Sequence, residues 1–106
     1  MSQILSIKLK RENGTLVRGF NDKGTIISLI YRRVKDEDQG IWLIDFIDPY
    51  GDTIFNIAQM ERLLKELPHL LDEARNETET EAVNRLIKLV EEGCRGIHLY
   101  LWFIGD

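Results

Sequence analysis

The chain has 106 residues, a net charge of −4, 43% hydrophobic and 30% charged residues. This is the size and balance of one folded domain, expected to span residues 1–106, and it weighs against a disordered chain. The single cysteine, Cys94, excludes a disulfide framework and points to a reducing compartment. With no leader-like start and no apolar run near the ~20 residues needed to cross a bilayer, the chain reads as cytoplasmic, with no membrane partner.

In chain order, residues 4–9 alternate, with Leu5, Ile7 and Leu9 on one face, and predict a half-buried strand. Asn13-Gly14 predicts a type I′ hairpin turn, with the return strand over residues 15–20. Residues 21–24 read as a second turn. Residues 25–34 are rich in β-branched and aromatic side chains and predict a third strand, with a helix as the alternative. A polar turn follows over residues 35–39, ending at Gly40. Residues 41–47, apolar except for Asp45, predict a covered central strand.

Asn56 opens a helix through a capping box with Gln59, and Phe55 and Met60 occupy the positions of a hydrophobic staple. Apolar residues then recur at helical spacing, with Pro68 expected to kink or break the helix. A second helix is expected from a Thr78/Glu81 capping box to an αL cap at Gly93. Residues 97–104 predict the last strand. The order β-β-β-β-α-α-β predicts an α+β fold, an antiparallel-rich sheet with two helices packed on one face.

Charge is unevenly distributed. Residues 1–35 carry eight Lys or Arg against two acids, whereas residues 36–106 carry six against sixteen. The densest chemical feature is the segment of residues 44–53, which holds Asp45, Asp48 and Asp52 with Pro49, Tyr50 and Gly51. Asp48, Pro49 and Gly51 suit a type I turn. Asp45 lies within an apolar run and calls for a cationic partner, with Arg32 or Arg33 the candidates. The chain ends on Gly105-Asp106, after another apolar run. If the two runs are neighbouring strands, Asp48, Asp52 and Asp106 share one end of the sheet. His98 stands at the other end of the last run, roughly 23 Å away if extended, and drops out of a site there.

No spacing matches a calcium loop or a zinc signature, and no nucleophile elbow, phosphate loop or dinucleotide fingerprint is present. Cys94 lies near a helix C-terminus, where the dipole disfavours a thiolate. The acidic total and the lack of an RNP-like or helix-turn-helix pattern weigh against nucleic acid.

The stretch Ile47-Asp48-Pro49-Tyr50-Gly51-Asp52-Thr53-Ile54-Phe55-Asn56, with the ending His98-Leu99-Tyr100-Leu101-Trp102-Phe103-Ile104-Gly105-Asp106, resembles small uncharacterised bacterial single-domain proteins. The resemblance covers roughly the last two thirds of the chain and carries over no catalytic residues. In size, acidity and lack of catalytic motifs the chain also resembles, in type, the immunity proteins that neutralise bacterial toxins.

The expected function is therefore binding, of the inhibitor or immunity kind, without a cofactor. Asp48, Tyr50, Asp52 and Asp106 would face a basic protein partner. The alternative is a small enzyme or metal-binding protein using the Asp48, Asp52 and Asp106 carboxylates. A third reading is a homodimer that covers a sheet face made of Trp42, Phe46, Tyr100 and Trp102.

Overall fold

A computed structural model describes residues 4–34 and 42–105. The elements are β1 (Ile4–Arg11), β2 (Leu16–Lys23), α1 (Ile26–Val34), a 3-10 turn (Leu43–Phe46), β3 (Asp52–Phe55), α2 (Ile57–Asp72), α3 (Glu77–Arg95) and β4 (Leu99–Ile104). The fold is α+β: one antiparallel sheet in the order β2-β1-β4-β3, with helices packed against it. β4 returns from the helices to lie between β1 and β3. The alternation of β1 and β4 decides which sheet face is covered. Leu5, Ile7, Leu9, Leu99, Leu101 and Phe103 are buried, while Ser6, Lys8, Lys10, Tyr100 and Trp102 stay half-exposed on the opposite face. Met60, Leu63, Leu67, Leu70, Val83, Leu86 and Val90 of α2 and α3 complete the core, each contributing roughly 1.5–3 kcal/mol by burial.

The β1–β2 hairpin closes differently from expectation. Of the two turn residues only Gly14 has positive φ, at +90°. Its N–H donates to the Arg11 carbonyl at 2.8 Å, and Arg11 N–H to the Thr15 carbonyl at 2.8 Å. This is a three-residue loop with glycine in the left-handed position, rather than a type I′ turn.

Residues 25–34 do not form a strand; Ile26–Val34 is helical. Ile27, Ile30, Tyr31 and Val34 recur at helical spacing, and the first three are buried. That periodicity overrides the β-propensity of the same residues. The helix is started by Asp22, whose carboxylate accepts from Ile26 N–H at 3.1 Å and Ile27 N–H at 3.0 Å. Asp22 is buried; burial raises its pKa, and those two bonds act against the rise.

The expected central strand over residues 41–47 is also not present. Residue 41 and the turn expected over residues 35–39 lie outside the described residues, and Leu43–Phe46 forms a single 3-10 turn. Buried Glu66 of α2 fixes it there, accepting from Leu43 N–H at 2.9 Å and Ile44 N–H at 3.4 Å. Asp45 is exposed, and its carboxylate accepts from Trp42 N–H at 3.2 Å. The expected pairing with Arg32 or Arg33 is replaced. Arg33 instead bonds Glu79, which ties α1 to the first turn of α3.

The helix beginning at Ile57 has the expected capping box. Asn56 Oδ1 accepts from Gln59 N–H at 3.0 Å and Gln59 Oε1 from Asn56 N–H at 2.8 Å. It runs without a break through Pro68 to Asp72, because the buried residues on either side hold it against the core. α3 starts earlier than expected: Asn76, rather than Thr78, is its cap, accepting from Glu79 N–H at 2.9 Å. Gly93 does not end it. Gly93 is buried within α3, where an added Cβ would lie 2.6 Å from Met60 Sδ and 2.9 Å from Leu9 Cδ1. Glycine here lets α3 approach α2 and β1, and the helix continues to Arg95 with Gly96 as its C-cap.

Candidate interaction surface at the β3 edge

The acidic segment is a loop held at four points. Asp48 N–H donates to Thr53 Oγ1 at 2.9 Å, and the Thr53 hydroxyl donates to the Phe46 carbonyl at 3.3 Å. Asp48 Oδ1 accepts from Tyr50 N–H at 2.9 Å, which makes the turn around Pro49. Gly105 N–H then donates to the Gly51 carbonyl at 2.8 Å. An added Cβ on Gly105 would lie 2.2 Å from the Pro49 carbonyl oxygen, so glycine permits this close approach. The end of β4 and the acidic loop thus share one end of the sheet, with Asp52 opposite Ile104 in the β3–β4 register; the strand beside β4 is Asp52–Phe55 and not the expected run over residues 41–47. Asp106 itself lies outside the described residues.

These contacts divide the loop residues by role. Asp48 is part of the turn. Tyr50 is 78% exposed and Asp52 is exposed, and neither side chain makes a hydrogen bond or ion pair among the described residues. Among the described residues, four of the seven large exposed hydrophobic side chains, Phe46, Tyr50, Ile54 and Ile57, fall between residues 46 and 57. Asp45, Asp48 and Asp52 are exposed in the same region, and no Lys or Arg occurs between residues 36 and 61. Ile54 faces Trp102 across the strand pair, so the uncovered sheet face continues this surface through Trp102 and Tyr100. Ile54 and Ile104 were not singled out by sequence reasoning; the period-2 alternation of their strands was the signal for them.

The four aromatic residues grouped as a possible sheet face do not share one. Trp42 is buried in the core, with its ring centroid 5.6 Å from Tyr31 and 5.5 Å from His69. Phe46 belongs to the 3-10 turn and is exposed. Tyr100 and Trp102 do lie on the open face, and Lys10 Nζ sits 4.3 Å from the Trp102 ring centroid.

The acids do not assemble a metal centre. Among the described residues no group of three or more His, Cys, Asp or Glu side chains converges. His98 has a φ of +55° just before β4 and approaches Glu12 at 3.9 Å, at the opposite end of the strand from Asp52. Burial, with Glu61 and Glu91 nearby, pushes the Cys94 thiol up and keeps it protonated. Burial also raises Tyr31, with Asp45 and Glu66 adding to the effect; the ring belongs to the core behind the 3-10 turn.

No helix among the described residues is long and apolar enough to cross a membrane. Comparison with protein-family models, with curated protein sequences and with solved structures gave no significant match.

Proposed function

We propose that this chain is a protein-binding module of the inhibitor or immunity kind, and that the β3 edge is its contact surface. The observation that carries this reading is the co-occurrence of exposed Phe46, Tyr50, Ile54 and Ile57 with three exposed carboxylates in a segment, residues 36–61, that contains no Lys or Arg. Solvated apolar side chains favour burial, and aromatic residues are enriched at interfaces. The carboxylates select a partner whose facing surface is basic, and they speed the encounter. The enzyme alternative is weaker, because no group of three or more His, Cys, Asp or Glu side chains converges among the described residues.

The test is the double variant Tyr50→Ala with Asp52→Ala, since neither side chain supports the fold. It should melt within ~0.5 kcal/mol of the parent, as ordinary surface substitutions do. Against the partner captured by the parent protein from source-cell lysate and then purified, it should lose about 1–3 kcal/mol. Unchanged affinity for that partner, or unfolding of the variant, would sink the proposal.

A second reading is favoured by the open sheet face: a homodimer burying Tyr100, Trp102, Ile54 and Ile104. It ranks lower because Lys8, Lys10 and Lys23 share that face, and covering them would cost desolvation unless each found an acidic partner. Light scattering across a wide concentration range separates the two readings.

A further inference from the structure

The opposite edge of the sheet has different chemistry. β2 ends the sheet on that side. Among the described residues, its only backbone bond outside the β1 pairing and the hairpin is a weak one, from Thr25 N–H to the Asp22 carbonyl at 3.3 Å. Most of an eight-residue strand edge is therefore open. Between this edge and α3 lies a cleft of about 530 Å³. Phe20 and Leu89 supply apolar wall, and Arg18, Arg85, Lys88 and Arg95 surround it with cations. Glu92 is the one acid lining it, and it is engaged by Arg18 at 2.7 Å. Arg85, Lys88 and Arg95 are exposed and have no ion-pair partner among the described residues. Their spacing along α3 puts them with Glu92 on one helix face, turned toward β2.

We propose that this cleft binds an extended acidic peptide segment, which adds to the free edge of β2 as a further strand. Main-chain hydrogen bonds to β2 would supply affinity, and every second side chain would enter the cleft. Four cations against one carboxylate select acidic side chains at those positions. Phe20 and Leu89 receive the methylene stems. The cleft is bordered by the strand edge at Arg18, Gly19 and Phe20 and by cations spread from Arg85 to Arg95 of α3, which fits an extended chain better than a small anion. This surface is separate from the β3 edge, and the proposal stands whether or not that edge binds a protein.

The experiment uses fluorescence anisotropy of the full-length protein with a labelled short peptide alternating Val and Glu, at low ionic strength. The Val–Glu peptide should bind, and its Val–Lys counterpart should not. Arg85→Glu with Lys88→Glu should weaken binding by about ten-fold or more, and higher salt should weaken it too. Circular dichroism should show these exposed substitutions leaving the fold intact. N-methylation of alternate peptide amides should weaken binding comparably, since it removes the main-chain bonds. Amide resonances of residues 17–21 should shift on binding while those of residues 52–55 stay still. Tyr50→Ala with Asp52→Ala should bind the peptide like the parent, which separates this result from the test of the β3 edge. The proposal is overturned if the Val–Glu peptide fails to bind, or if the N-methylated peptide binds equally well. It is also overturned if labelled oligo-dT binds more tightly than the peptide, or if the cleft proves to be filled by a second copy. The last outcome would appear as concentration-dependent self-association abolished by the Arg85→Glu, Lys88→Glu variant.

Discussion

At the β3 edge the buried carboxylate of Glu66 accepts the backbone N–H groups of Leu43 and Ile44; at the β2 edge buried Asp22 accepts those of Ile26 and Ile27. Both edges are anchored by one acid that satisfies two otherwise unpaired donors where the backbone leaves regular structure. Their exposed surfaces are opposite. The β3 edge carries Asp45, Asp48 and Asp52 with exposed aromatic and aliphatic side chains, whereas the β2 edge carries Arg18, Arg85, Lys88 and Arg95 around an open strand. A net charge of −4 conceals this polarity. Total charge is thus a poor guide to partners in this protein; the arrangement of charge along the two edges is the informative quantity.

The largest expected effect comes from removing the anchor at the β3 side. Glu66→Ala leaves two buried N–H groups without an acceptor and should cost about 2–4 kcal/mol in denaturant unfolding. Hydrogen exchange at Leu43 and Ile44 should accelerate, while exchange in β2 stays as in the parent. Next is Gly105→Ala, where the new methyl meets the Pro49 backbone. A cost of about 1–3 kcal/mol is expected from overpacking, together with shifted amide resonances in residues 48–52. Peptide capture at the β2 cleft should be unaffected, and its loss would show that the two edges are not independent. Asp22→Ala removes the cap of α1 and should cost about 1–2 kcal/mol, with faster exchange at Ile26 and Ile27 rather than at Leu43.

The smallest effect concerns pH. The Arg33 guanidinium, and secondly the Arg75 N–H, hold the Glu79 carboxyl below its ordinary value of 4.5. A folded-state pKa below the unfolded one gives stability that is present above the unfolded value and is lost as pH falls through the folded one. Glu79→Gln should therefore lower the melting temperature slightly at neutral pH. That difference should shrink as the medium is acidified below about the ordinary glutamate range. A difference that persisted undiminished in acid would show that the pair contributes geometry rather than charge.

Where a single local signal dominates, sequence and structure agree. Strict alternation in β1 and β4 identifies the covered face, and the reciprocal Asn56–Gln59 box places the start of α2. These depend on period and on side-chain reach within one turn, both of which can be read along the chain. The loop through Asp48 and Gly51 is legible for the same reason.

Residues 25–34 and 41–47 show the limit. Both are rich in residues that suit strands, yet one is a helix and the segment Leu43–Phe46 is a 3-10 turn. Asp22 does lie within five positions of Ile26 and Ile27, a capping signal outweighed along the chain by the β-propensity of the residues that follow. Glu66 lies more than twenty positions from the groups it binds, so its effect has no local signature. The basic cleft is of the same kind, because Arg18 and the α3 cations meet only when β2 and α3 pack side by side. The sequence by itself determined an α+β chain with one covered sheet face, a capped helix and an acidic turn. Tertiary structure decided which apolar segments became strands and which charges shared a surface, because buried backbone donors take their acceptors wherever packing supplies them.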